Sequence, residues 1–555
     1  MQHFNNETKK MNMKAYYNFR KMKNCVLILL AFFMLVSCEG LLEKFPPDQL
    51  SDESFWKTES DAMLSLTAVY DFGGDGQGTF NFYSTNSHVR LDLTTDLGYE
   101  KDKQITDINN GNLTSSYGIV QTYWQTSYRQ IAKCNLFMAN IDKVEMDETK
   151  KEQIKGEVRF IRAFYYFWMS QLWGGVPLVT EPQTISEANN VSRNTKAEVV
   201  SFVLNELSEI ANILPVTRPV SEHGRITSAA ALAILGRLQM SEKMWTEAVS
   251  TYERIINMNQ YELHPDYKAI FEEKGDGSSE IILSIKHMRD EYPVAQRWSL
   301  PFQFGGWGHY NPYQNFIYTY ECIDGLSIKE SPLYNPDEPY LNRDPRLYET
   351  IFIPEFTVWK GSVFVAHPDS SPSKYPSQLL RRDWSGYALK KYADEDFSGD
   401  VTNYGADFKM IRYAEVLLSY LESKIEAGHS IDQNLLDQTI NKVRGRESVG
   451  MPAVTETDPQ KLTVILRRER GVELAYEGFR LFDLFRWRIA HIVLRDKMYG
   501  MKITTDPENY TKFEVDEEGY YFVKELFFRE NVDYLWPIPQ REIDINSNLT
   551  QNPGY

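Results

Sequence analysis

Cysteine is scarce: four in 555 residues, at Cys25, Cys38, Cys134 and Cys322. Two fall in or beside an N-terminal apolar run, so the body keeps only Cys134 and Cys322, which excludes a disulfide framework. Positive charge is in deficit, with a formal net charge of −17. That excludes nucleic acid as a bulk partner, because phosphates need a basic face. The nine histidines show no paired spacing, and no GxSxG, HExxH or Cys–His arrangement occurs. Asp394, Asp396, Ser398 and Gly399 imitate the opening of a calcium loop, but Gly405 stands where the bidentate glutamate belongs. That stretch reads as a solvated connector, and neither metal nor cofactor is expected. The glycine-rich turn at 73–78 is no phosphate loop, since no Lys-Ser/Thr follows it and no strand–helix unit frames it. Long apolar runs are also missing. The one candidate, Val26–Val36, is too short to span a bilayer comfortably.

That run sits in a secretory signal. Lys9, Lys10, Lys14, Arg20, Lys21 and Lys23 precede it, and small residues follow. Leu35-Val36-Ser37-Cys38 is similar to a bacterial lipobox, in which Cys38 is lipidated and becomes the first mature residue. Residues 1–37 are therefore expected to be a lipoprotein signal peptide, with Met11, Met13 and Met22 as further possible starts. Removing them, with six basic and one acidic residue, takes the net charge to −22.

With 42% hydrophobic residues the chain can bury one large core or two ordinary ones. The expected architecture is mostly α, a single domain over 38–555 opening with a tether over 38–55 that contains Pro46 and Pro47. Helical patterning runs over Asp61–Tyr70, Trp124–Val144, Lys150–Leu172 and Thr195–Leu214. Gly174, Gly175 and Pro177 stop the third of these. Ser228–Met240 and Trp245–Met258 read as a helix pair in tetratricopeptide register, where Gly236 and Ala248 let the helices approach and Tyr252 covers the gap. A similar pair is read at Asp407–Ala427 and Gln433–Arg446. Between them, 261–406 is a loop-rich insertion holding one short strand at Ile281–Ile285, and a long poorly helical stretch in a helical protein is usually functional.

Glu469–Trp487 reads as one largely buried helix with a ladder of charges three residues apart: Arg470 with Glu473, Glu477 with Arg480, Arg480 with Asp483, Asp483 with Arg486. Glu473 and Glu477 stand about one turn apart, near the roughly 5 Å of a retaining glycosidase. The arginine within reach of each favours a structural role, and no catalytic residue is assigned.

The aromatic content is 14%, and one cluster stands out: Trp298, Phe302, Phe304, Trp307, Tyr310 and Tyr313. Pro301, Gly305, Gly306, Gly308 and Pro312 break it, so it is neither a core helix nor an alternating strand. Exposed aromatic surface is unfavourable unless it meets a partner, and rings with polar handles suit a binding surface. Asn315, in the turn that follows, is a candidate hydrogen-bonding residue.

The Glu469–Trp487 segment, ERGVELAYEGFRLFDLFRW, resembles a signature of the SusD/RagB family, surface nutrient-binding lipoproteins of Bacteroidetes. Three further blocks resemble it too: the opening Cys38 followed by FWKTESDA and AVYD; Glu157–Tyr166 with Gly175–Val179; and Tyr534–Ile543 with the closing Gln551–Tyr555. The resemblance covers essentially the mature chain. It implies a tetratricopeptide-like scaffold carrying an irregular ligand-binding face, and a palmitate-bearing lipid anchor on the cell-surface side of the outer membrane. It also implies carbohydrate uptake, by capture of oligosaccharide for a SusC-like TonB-dependent transporter. The family's N-terminal loop would add Phe82, Tyr83, Arg90, Asp96 and Tyr99 to the site. A secreted glycoside hydrolase, a peptide binder and a pure protein–protein scaffold are the alternatives.

Overall fold

The computed structural model describes residues 55–71, 80–101, 105–367 and 385–555. The signal segment, Cys38 and nearly all of the tether lie outside the described residues. Contacts divide the chain into a small unit, Met1–Ala62 with Lys143–Glu145, and a large one, Met63–Asp142 with Met146–Tyr555. In the small unit, the Thr58 backbone N–H and hydroxyl both donate to Asp61 at 2.8 Å, fastening the first turn of α1 (Glu59–Tyr70).

The large unit is helix-rich, as the periodicity implies. Its longer helices are α2 (Thr85–Asp92), α3 (Gly118–Asn140), α4 (Glu148–Leu172), α5 (Lys196–Ile210), α6 (Ser228–Ser241), α7 (Trp245–Asn257), α8 (Tyr413–Glu426), α9 (Pro459–Glu473) and α10 (Arg480–Arg486). From α3 to α9 each packs on the next. Local chemistry sets the ends. Asp147 caps α4 by accepting from the Lys150 N–H at 2.8 Å, and Thr195 with Glu198 forms a capping box on α5. Gly236 faces the ring of Tyr252 so closely that a Cβ there would lie 2.6 Å from it. That contact between α6 and α7 is the one the spacing calls for.

Three expectations are corrected. Asp407–Ala427 is not one helix: β4 (Phe408–Arg412) precedes α8 and pairs antiparallel with β2 (Ile281–Ile285). All five β4 residues are buried, including Lys409, which reaches Asp276 at 2.6 Å. A strand covered on both faces has no alternation to read. Gln433–Arg446 is two short helices, Gln433–Gln438 and Ile440–Arg444, parted at Thr439, whose φ, ψ are −122°, −98°.

The third correction is the break in Glu469–Trp487. α9 ends at Glu473 and α10 begins at Arg480, with Tyr476 at φ 62° and Gly478 at φ 89° between them. The charge ladder is rerouted across the fold. Arg470 pairs with Asp483 at 3.0 Å and Arg480 with Asp96 at 2.7 Å; only Asp483–Arg486, at 2.8 Å, keeps the spacing read from sequence. Glu473 meets Arg412, Arg346 and Arg446 at 2.7, 2.9 and 3.1 Å, and Glu477 meets Arg412 and Lys391 at 2.6 and 2.7 Å. Burial pushes the Glu473 carboxyl up, but the guanidiniums of Arg412, Arg446 and Arg346 outweigh it and hold the group well below the usual carboxylate range.

Two helices end alike. After α6, Lys243 N donates to Met240 O and Met244 N to Gln239 O, at 3.2 and 2.8 Å. After α10, Arg488 N donates to Phe485 O and Ile489 N to Leu484 O, both at 3.1 Å. These are Schellman turns, and their left-handed residues are Lys243 (φ 59°) and Arg488 (φ 56°), not glycine. A side chain there costs about 1–2 kcal/mol, more than the ~0.3–1 kcal/mol a cation typically returns at an exposed helix C-terminus.

Short antiparallel pairs complete the unit. β1 (Gly98–Glu100) pairs with β3 (Tyr310–Pro312), and β5 (Lys497–Lys502) with β6 (Tyr520–Glu525). The C-terminal segment closes on α4, with the Trp173 indole donating to Pro537 O at 2.9 Å and Trp536 N to Leu172 O at 2.6 Å.

Candidate functional site

The aromatic stretch folds back on itself. Pro301 and the left-handed Gly305 (φ 84°) reverse the chain, after which Trp307 N donates to Arg297 O at 2.6 Å, Gly308 N to Leu300 O at 2.9 Å and His309 N to Trp298 O at 2.8 Å. Gly306 sits in the bend, where a Cβ would lie 1.9 Å from Leu300 O, so only glycine fits. The fold-back brings Trp307 edge-on to Trp298, ring centres 5.0 Å apart.

Three of the six aromatics keep exposed surface. Phe302 is 36% exposed, and Phe304 and Trp307 are half-buried. Charges stand over two of these rings: Arg297 over Trp307 at 3.8 Å and Lys101 over Phe302 at 4.8 Å. Cations over ring faces are attracted by the quadrupole and hold the plane of the ring. Phe304 packs on Phe352, Trp359 and Phe364. Between Phe302 and Phe304, Gln303 is fixed by bonds to Val363 O at 2.7 Å and from Val365 N at 2.9 Å.

The other three aromatics lie inside. Trp298 is 8% exposed. Its ring meets Arg90 at 5.6 Å, and it lines, with Tyr310 and Phe408, a void of about 30 Å³, room for about one water. Tyr310 is buried in β3, and Tyr313 is 0% exposed and stacks on Tyr99 at 5.3 Å. Asn315 is a bracket: its amide donates to Lys497 O at 3.2 Å and accepts from Tyr499 N at 3.0 Å, pinning β5. Among the described residues no group of three or more His, Cys, Asp or Glu side chains could hold a metal ion.

The family model described as "SusD family" matches residues 270–555, and one described as "Starch-binding associating with outer membrane" matches 52–240. The chain belongs to the SusD family. A solved structure of a SusD-like carbohydrate-binding protein from Bacteroides fragilis is 34% identical, with a TM-score of 0.84 over 89% of this chain and 100% of that one. SusD-like protein P25 of Formosa agariphila is 24% identical over 96% of this chain and 100% of its own length. The starch-binding protein SusD of Bacteroides thetaiotaomicron is 24% identical over 49% of this chain and 52% of its own.

In this SusD-family chain the N-terminal loop residues face inward. Phe82 is sandwiched between Tyr123 and Trp168, ring centres 4.6 and 5.3 Å away. Tyr83 packs edge-on to Phe164 at 5.4 Å. Arg90 donates to Glu100 at 2.8 Å, both buried, and Asp96 is held by Arg480. Tyr99 is buried against Tyr313. Of these five, Arg90 and Tyr99 back the aromatic stretch, through Trp298 and Tyr313, and the rings with exposed surface are Phe302, Phe304 and Trp307. Lys101 and Arg297 were not singled out from sequence. The signal was faint: Arg297 precedes Trp298, but its ring partner is Trp307, ten residues on, and no period links them.

Proposed function

We infer that the protein is a cell-surface glycan-binding lipoprotein, anchored through Cys38, that captures oligosaccharide and delivers it to a SusC-like TonB-dependent transporter. The carrying observation is the partly exposed pair Phe302 and Trp307, each with a cation on its ring. A pyranose has apolar C–H faces and a rim of hydroxyls. Flat rings beside charged donors match both parts, and aromatic anchors lose little rotamer freedom on binding. Family membership supports the reading, as do the carbohydrate-binding relative from B. fragilis and the outer-membrane association in the second family description.

The position of the Glu473–Glu477 pair supports a reading of binding without hydrolysis. Glu473 and Glu477 are buried in arginine and lysine contacts, which leaves neither free to act as nucleophile or acid.

The test is calorimetric titration of the purified mature protein with a panel of neutral and charged polysaccharides. Saturable binding of at least one glycan, with no reducing ends released, is expected. No binding across the panel, or release of reducing ends, overturns the reading. Purification from native membranes in mild detergent is expected to bring down a large β-barrel partner, and Cys38→Ala to move the protein to the soluble fraction.

A further inference from the structure

A second cleft, of about 430 Å³, opens among α4, α10 and the turn that follows α6, and no residue of the Trp307 platform lines it. Its size is that of an ordinary small-ligand site. Its apolar wall includes Phe482, Phe485 and Tyr534, and its charged lining residues are Lys196, Lys243, Arg486 and Arg488. Among the described residues no carboxylate is part of the lining, though Glu242 binds Lys196 and Gln171 at its edge, in a chain whose net charge is −17.

Two of those cations are already neutralised. Lys196 pairs with Glu242 at 2.7 Å, and Arg486 with Glu422 at 2.5 Å and Asp483 at 2.8 Å. Lys243 and Arg488 have no carboxylate partner among the described residues, and Arg488 stands over the Tyr534 ring at 3.6 Å. These are also the two left-handed Schellman residues, positions where the backbone favours glycine. Two unrelated helix ends thus each carry an unfavourable side chain, both are long cations, and both reach one cleft. A third unmet group joins them: the buried Trp168 indole N–H, on the same lining, has no acceptor among the described residues.

We propose that this cleft binds an oxyanion-bearing saccharide unit, a uronate or a sulfate ester, with Lys243 and Arg488 taking the anion and the half-buried Phe485 the sugar ring, while the buried Tyr534 holds Arg488 in place. The saccharide half rests on the glycan reading above; the oxyanion half rests on the cleft alone. Surface cations placed only to balance helix ends would not converge on a cleft lined with aromatic rings.

The test exploits the backbone. Lys243→Gly with Arg488→Gly removes both charges and relieves both left-handed positions, so the thermal midpoint is expected to hold or rise. Titration with an oligosaccharide of glucuronic acid, its neutral glucose counterpart, a sulfated counterpart and inorganic sulfate is expected to show at least tenfold weaker binding of the acidic probes to the variant. Neutral binding is expected to be unchanged, and Lys243→Arg with Arg488→Lys to retain acidic affinity. Trp307→Ala should leave the acidic site intact. The proposal is overturned if no acidic probe binds the unaltered protein, if the double glycine variant binds it as well, or if acidic affinity follows Trp307. Should neutral glycans fail while acidic ones still depend on Lys243 and Arg488, the Trp307 platform reading falls and the cleft stands.

Discussion

Arg412 reaches Glu473 at 2.7 Å and Glu477 at 2.6 Å, so the last residue of β4 bridges the end of α9 and the break that follows it. All three side chains are buried. A buried ion pair is weak evidence of net stability, but removing one partner leaves a charge unmatched and is strongly destabilising.

Glu477→Gln leaves Lys391 and half of Arg412 short of countercharge. The expected loss is about 3 kcal/mol in chemical denaturation, and Glu473→Gln, which faces three guanidiniums, should lose at least as much. Values within about 1 kcal/mol of the unaltered protein, the range of exposed pairs, would show that the network does not hold the break.

Gly236→Ala tests the α6–α7 contact. Its Cβ would sit 2.6 Å from the Tyr252 ring, which is itself fully buried and cannot swing away. Overpacking of this kind costs about 1–3 kcal/mol, more than the helix propensity alanine returns. A rise in thermal midpoint would mean that the ring yields.

The helices were legible because their pattern is local: Thr195 with Glu198, and Gly236 with Tyr252, lie within a few turns. The break at Tyr476–Gly478 was not, because its support comes from far away. Asp92 accepts from Gly478 N at 2.9 Å and Arg480 N at 2.8 Å, nearly four hundred residues back in the chain. Strand β4 was hidden by Lys409 and Arg412, which look like surface until Asp276 and Glu473 are placed beside them. Composition and broken periodicity singled out the stretch Trp298–Tyr313 and favoured its two indoles. Of these the structure buries Trp298 and leaves Trp307 partly exposed, beside the more exposed Phe302. Sequence could not separate Phe302 and Trp307 from Tyr310 and Tyr313, because which ring faces out depends on the β1–β3 pairing.

Asp92 also sets a pH dependence. Burial pushes its carboxyl from 3.8 up to about 7, against the pull of the Gly478 and Arg480 backbone donors and with a further push from Glu477 and Asp483. The folded protein then holds a proton between about pH 4 and 7 that the unfolded chain releases, so this group's contribution falls as pH rises through that window. Stability is expected to be greater near pH 5 than near pH 8, with a slope of at most about 1.4 kcal/mol for each tenfold fall in proton concentration. Asp92→Asn should flatten that slope. If denaturation midpoints of the two proteins run parallel from pH 5 to 8, Asp92 ionises normally.

Trp307 and Tyr313 give opposite expectations, and the contrast separates platform from core. Trp307 is partly exposed, with Arg297 3.8 Å over its ring and Trp298 edge-on. Its removal takes away a stacking surface worth about 1–3 kcal/mol per ring by analogy with base stacking. Trp307→Ala should therefore weaken binding of the cognate glycan about tenfold or more, with the thermal midpoint nearly unchanged. Arg297→Ala should weaken it less, since the indole loses the charge that fixes its plane but keeps its face. Tyr313 is 0% exposed and stacked on Tyr99, so Tyr313→Ala should cost about 3–5 kcal/mol of stability, as for other large buried aromatics. Its effect on affinity should be no more than that unfolding explains. The outcome that sinks the assignment is equal behaviour: if Trp307→Ala and Tyr313→Ala both destabilise the fold and neither changes affinity in the folded fraction, Trp307 is core and the glycan binds elsewhere.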